Sequence, residues 1–171
     1  VFPTLEIMVG GNRASATHLG GGTWITNRHV LGELATTAIL GHQHVKVFRD
    51  VEGVGQQPSH DWVTFSTSPV VAFSSLPVDL DAPIAPGEHV WVTGYGHPGR
   101  DVAHQGNLIA ATVDESDVRE RLLSLRFPDD RVHPGLSGAA VVHHNTVVGI
   151  IVGRQVVDGQ ATQLAVRPRE R

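Results

Sequence analysis

The feature that most restricts the fold of this chain is the brevity of its apolar runs. They alternate with polar positions, favour β-branched residues, and break at Gly, Pro or Asn from one end of the sequence to the other. The expected strands are Leu5–Val9, Thr23–Thr26, Thr37–Leu40, His44–Arg49, Trp62–Ser66, His89–Gly94, Asn107–Val113, Leu122–Arg126, Ala139–Val142, Val147–Val152 and Ala161–Val166. Short strands at near-regular spacing with turn signals between them predict an all-β sandwich or barrel. Helical periodicity is weak, and only Val30–Thr36 and Val113–Leu123 are expected to hold a helical turn each. The 19 glycines suit tight turns and bulges.

Ser74–Glu88 (SSLPVDLDAPIAPGE) reads as a connector, since its three prolines and three acids leave little room for a ladder. It divides the chain into an N-terminal half (about 1–75) and a C-terminal half (about 89–166), joined by about 76–88, with no evident sequence repeat between them. The final RPRER, Arg167–Arg171, reads as a solvated domain end.

With 171 residues, 40% hydrophobic and 18% charged, the chain is long and apolar enough to bury a core. Its net charge of −4 comes from interspersed acids and bases, which favours neither nucleic acid nor an anionic membrane as partner. No apolar run approaches the roughly 20 residues needed to span a bilayer. The absence of cysteine rules out a disulfide scaffold, a thiolate zinc site and a cysteine nucleophile. The sequence opens on Val1, so any signal peptide is expected upstream of it.

Three local patterns carry the chemistry. In Gly20–Val30 (GGGTWITNRHV) a short apolar strand runs into a polar turn that delivers His29. In Ser59–Ser66 (SHDWVTFS), Asp61 stands at the mouth of an alternating strand. In His133–Val142 (HPGLSGAAVV), Ser137 lies between Gly135 and Gly138 just before an apolar strand. Taken singly, each has a plainer reading: an exposed histidine, a strand-capping aspartate, a serine in a turn. Together they supply a weak nucleophile, an imidazole to accept its proton, and a carboxylate to fix the imidazole tautomer. Gly135 would let its own N–H and that of Ser137 aim at one point, where an oxyanion would sit. His29 and Asp61 are 32 residues apart and Ser137 lies 76 further on, beyond the connector. Two strand bundles contributing opposite sides of one cleft require that order. An α/β-hydrolase would require Ser, then acid, then His, and no histidine follows Asp158.

At these residues the chain resembles the chymotrypsin-like (PA clan) serine peptidases, and most of all the protease domain of the HtrA group. GTWITNRHV is similar to the family's strand ending in a Thr-Asn-x-His-Val turn, and HDWVTF to its Asp-Ile-Ala-Leu segment, with Trp62 and Val63 departing from it. VWVTGYGHP with GNLIAATV is similar to a Gly-containing turn entering the next barrel strand. VHPGLSGAAVV resembles the nucleophile box, and VVGIIVG the strand lining the substrate pocket.

The resemblance implies two packed antiparallel β-barrels with the active site in the cleft between them. It implies a serine endopeptidase with His29, Asp61 and Ser137 catalytic, no cofactor, a polypeptide substrate and a bacterial, secreted or periplasmic setting; oligomeric state is left open. Leu136 stands where the trypsin group has an aspartate that pairs with a freed N-terminal ammonium, so activation by that ion pair is not expected. No PDZ-like module is expected within this length.

By position relative to Ser137, one pocket wall is expected from Arg131, Val132 and His133, the other from Val152, Gly153 and Arg154. The valines favour a small or medium aliphatic P1 residue, whereas Arg131 or Arg154 would draw an acidic one. The alternative function is a chymotrypsin-fold protein that binds a partner without turning it over; esterase or acyl-transfer activity on the same residues is a third reading. Among the 11 histidines, His42 and His44 are expected to share a strand face and His143–His144 to sit in a turn, but neither pair has a third ligand placed to complete a metal site. His60 and His133 are expected at the surface, and Trp24, Trp62 and Trp91 in the core.

Overall fold

The computed structural model describes residues 3–70, 75–95, 107–128, 136–157 and 160–169. Among the described residues, twelve strands close into two six-stranded antiparallel barrels. The first holds β1 (Thr4–Val9), β2 (Asn12–Gly20), β3 (Thr23–Thr26), β4 (Thr37–Leu40), β5 (Gln43–Glu52) and β6 (Val63–Thr67), paired in the order β1-β2-β3-β6-β5-β4. The second holds β7 (His89–Gly94), β8 (Asn107–Asp117), β9 (Leu122–Arg126), β10 (Ala140–His143), β11 (Thr146–Val157) and β12 (Gln160–Val166), paired β7-β8-β9-β12-β11-β10. The two halves therefore repeat one connectivity without repeating a sequence. The expected all-β architecture of two packed barrels is what forms.

Each barrel has its own core, built by alternation. Ile7, Ala14, Ala16, Trp24, Leu40, Val45, Val63 and Phe65 fill the first. Val90, Val92, Val113, Leu123, Leu125, Val141, Val148 and Ile151 fill the second, together with Leu136. The connector lies along the second barrel: Val78 bridges Val147, Leu80 and Ile84 are buried, and Leu76 and Val78 pack on Val142 and Val147.

Several expectations are corrected. The sequence signals no strand over Asn12–Gly20, yet β2 is there, its middle made of Ala14, Ser15, Ala16 and Thr17, all buried. Ala is depleted in strands; here Ala14 and Ala16 belong to the first core, while Ser15 and Thr17 bond to Ser137 and Gly138 of the second barrel. The helical turn expected in Val113–Leu123 is instead strand: a bulge after Val113 lets β8 run on to Asp117, and a turn leads into β9. The turn expected over Val30–Thr36 forms earlier, as α1 (Arg28–Leu31), because Gly32 takes a left-handed φ of 67° and stops it. His42 falls in the two-residue β4–β5 turn with φ 71°, so it shares no strand face with His44. His144 and Asn145, φ 50° and 60°, form the equivalent turn between β10 and β11.

Trp24 is buried and Trp62 packs beside Leu164, but Trp91 is 48% exposed. In β7 the pleat turns Val90 and Val92 inward, which sends Trp91 out. His60 is half-buried against Gly55 rather than exposed. Arg167 is not a solvated end either. It is buried and donates to the carbonyls of Val148 and Ala82, while Arg121 donates to those of Arg167, Leu80 and Pro168 and pairs with Asp81. These two arginines fasten the chain end and the connector to the second barrel.

Candidate active site

His29 sits on α1, one residue after Arg28 and two after the N-capping Asn27. The next two residues, Val30 and Leu31, are 5% and 1% exposed and anchor the turn in the first core, which leaves His29 facing outward with its side chain 56% exposed. Asp61 follows a 3-10 turn over Pro58–His60, just ahead of β6. Its carboxylate accepts twice from His29: the backbone N–H donates to Oδ1 at 2.9 Å, and ring Nδ1 lies 2.5 Å from Oδ2. Buried Asn27 donates from Nδ2 to the Asp61 carbonyl at 2.9 Å, so the main chain of Asp61 is tied to the turn that carries His29. A proton held on Nδ1 towards Asp61 leaves Nε2 as a free acceptor.

Electrostatics agree with that reading. The hydrogen bond to Asp61 raises the His29 pKa above its ordinary value; partial burial opposes this and the Asp61 charge adds to it. Burial by itself would push Asp61 up. The hydrogen bonds from the His29 ring and backbone outweigh it, helped by the charges of His29 and Arg28, so Asp61 lies below the usual carboxylate range. If His29 is the general base, which must be neutral to accept a proton, the raised pKa predicts a loss of activity on the acid side with a midpoint above about 6.5. A kcat/KM–pH profile measured on a peptide substrate checks this, and a midpoint clearly below that value would contradict it.

Ser137 lies in a tight turn at the head of β10, between buried Leu136 and Gly138. The turn is held by the other barrel. Ser15 N–H donates to the Ser137 carbonyl at 2.8 Å and Thr17 Oγ1 to the Gly138 carbonyl at 2.8 Å. Thr26 Oγ1 donates back to the Ser15 carbonyl at 2.9 Å. Gly138 N–H donates to the Ile151 carbonyl at 2.8 Å. The chain of bonds thus runs from Ser137 through Ser15 to Thr26, three residues before His29. The sequence gives no warning of Ser15, Thr17 or Thr26 as supports; the only trace is the alternation of small hydroxyl and alanine residues over 14–17.

A cleft of about 880 Å³ opens between the barrels. His29, Asp61 and Gly55–Pro58 line it from the first barrel, Val152, Gly153 and Leu164 from the second. The structure therefore brings His29, Asp61, Val152 and Gly153 together, while Ser137 stands outside that lining, on the seam. Arg154 belongs to β11 opposite Gln163, but its side chain lies outside the described residues. So do Arg131, Val132, His133 and Gly135.

Two six-stranded barrels with a histidine–carboxylate pair in the cleft between them define the chymotrypsin/trypsin fold. The pattern of the trypsin-like peptidase domain matches residues 14–150, and the chain belongs to that family. This makes it a hydrolase of the serine-protease kind with polypeptide substrates. No curated protein matches the sequence. Among solved structures, the active form of the Rv3671c protease from M. tuberculosis is 18% identical, with TM-score 0.67 over 96% of this chain and 76% of its own. Human heparin binding protein is 17% identical, with TM-score 0.76 over 97% of this chain and 86% of its own. Kallikrein-related peptidase 10, solved in complex with Zn2+, is 13% identical, with TM-score 0.70 over 96% and 89%. At these identities the likeness is one of fold.

Proposed function

We propose that the protein is a serine endopeptidase in which Ser137 is the nucleophile, His29 the general base and Asp61 the residue that orients it. The observation that carries this reading is the double acceptance by Asp61 from His29, which fixes one tautomer and points Nε2 away from the acid. Ser137 Oγ attacks the scissile carbonyl carbon as its proton passes to His29 Nε2. The resulting oxyanion is received by the backbone N–H groups of Gly135 and Ser137. Collapse breaks the C–N bond, and His29 returns the proton to the leaving amine. Water, deprotonated by His29, then attacks the acyl ester and regenerates the serine.

For specificity, Val132 and Val152 favour a small or medium aliphatic P1 residue, with Arg131, His133, Gly153 and Arg154 completing the walls. Cleavage of a peptide library should concentrate after Ala, Val and Leu. A profile dominated by Glu or Asp at P1 would assign the pocket to the arginines instead. The HtrA-like motifs further support a secreted or periplasmic setting. Heparin binding protein has the same fold, which brings a purely binding role into view. The paired His29 and Asp61 argue against it, since a binding surface needs no fixed imidazole tautomer, and a net charge of −4 offers little to a polyanion.

A further inference from the structure

We propose that Arg28 is a positioning residue that locks the loop bearing Asp61 onto the turn bearing His29. The proposal rests on the catalytic reading of that pair but concerns a residue outside it. Arg28 is adjacent to His29 in α1, and its guanidinium reaches across to the segment between β5 and the 3-10 turn. Nη1 donates to the Gly53 carbonyl and Nη2 to the Gly55 carbonyl.

That segment is closed on itself. Gly53 N–H donates to the Trp62 carbonyl at 2.9 Å, and Asp61 N–H to the Pro58 carbonyl at 3.1 Å. It is also packed without slack. A Cβ on Gly53 would lie 2.2 Å from the His60 carbonyl oxygen, and one on Gly55 2.2 Å from His60 Nδ1. Movement at 53–55 therefore carries His60, and with it the neighbouring Asp61. Arg28 and Gly55 both line the cleft beside His29 and Asp61, so the clamp lies within the site.

A planar fork suits this task because it meets two carbonyls at once in fixed geometry; a lysine reaches one at a time. The charge of the same cation also reaches Asp61. Burial pushes that carboxyl up, the bonds from His29 bring it down, and the Arg28 charge adds to the lowering. One side chain thus holds the place of the acid and adds, after His29, to the lowering of its pKa. Asn27 shares the positional duty through the Asp61 carbonyl, which leaves Arg28 to hold the far end of the loop.

The test compares wild type, R28K and R28Q in peptide hydrolysis and in the proton NMR signal of His29 Nδ1–H, whose strong deshielding reports the bond to Asp61. An angstrom-scale displacement of a catalytic group costs about 100-fold, so R28Q should lose roughly 10- to 100-fold in kcat with KM within about twofold. Its Nδ1–H signal should weaken or move upfield in a protein with a near-normal melting curve. R28K, with the charge but not the fork, should fall between. Wild-type kcat and an unmoved signal in folded R28Q would overturn the proposal, as would a loss confined to KM. Should R28Q not fold, a folded R28K indistinguishable from wild type would overturn it equally. The NMR arm needs no turnover, so a wild type without peptidase activity would defeat the catalytic reading while still deciding whether Arg28 clamps the pair.

Discussion

Replacing Ser137 with alanine is expected to lower kcat for peptide hydrolysis by about 10⁶. The size follows from how the three groups act in the proposed mechanism. Without Oγ no acyl-enzyme forms, and a water in its place is neither held for attack nor bonded to His29 Nε2. The pairing of His29 with Asp61 then serves no step, although it persists in the structure. For the same reason the losses should not add: His29→Ala should cost about as much as Ser137→Ala, and the double variant little more than either. Steady-state kinetics on one peptide checks all three variants. A Ser137→Ala enzyme within tenfold of wild type would remove serine from the chemistry.

The second large effect is expected at Gly138. Its φ is +85°, and a Cβ built there would lie 1.9 Å from the Ser15 carbonyl oxygen and 2.9 Å from Thr26 Oγ1. Both atoms belong to the hydrogen-bonded seam that holds Ser137 against the first barrel, so they cannot withdraw cheaply. Gly138→Ala should cost about 2–5 kcal/mol, the sum of a left-handed alanine and an overpacked contact. For a chain of this size that lowers Tm by roughly 4–20 °C. Activity should fall further than stability explains, because the displaced backbone is that of the proposed nucleophile. Gly21 provides the control: its φ is +61° but nothing lies within 4 Å of an added Cβ. Gly21→Ala should show the conformational cost alone, about 1–2 kcal/mol. Thermal melts of both variants check this, and equal losses at the two positions would contradict a steric seam.

Much of the fold was legible in the sequence because barrel strands alternate between a core and a surface, and alternation survives in the residue pattern. β3, β4, β7 and β9 begin and end where it places them. Legibility fails where a strand has a second buried face. β2 is covered on both sides, by its own core and by the other barrel, so its small residues lose the contrast that marks a strand. The ends of β8 and β11 were missed for a different reason, since bulges after Val113 and Ile151 shift the register and break the period.

The site divides in the same way. His29 and Asp61 stand out because a turn next to an apolar strand is a recognisable setting for a polar side chain, and the structure pairs them. Their supports do not stand out. Ser15, Thr17, Thr26 and Arg28 act through contacts 11 to 122 residues away in sequence, mostly with backbone carbonyls, and a carbonyl leaves no mark in a residue pattern. Arg167 misleads for a related reason. A charged run at a chain end reads as solvated, whereas the carbonyls of Val148 and Ala82 draw its guanidinium inward.

The most direct test is covalent. Wild-type protein and His29→Ala, each shown to be folded, are incubated with a fluorophosphonate, and the modified residue is mapped by peptide mass spectrometry. A single adduct on Ser137 in wild type, and none in His29→Ala over the same interval, is the result the mechanism predicts. An unmodified wild type, or an adduct on any other side chain, would contradict it.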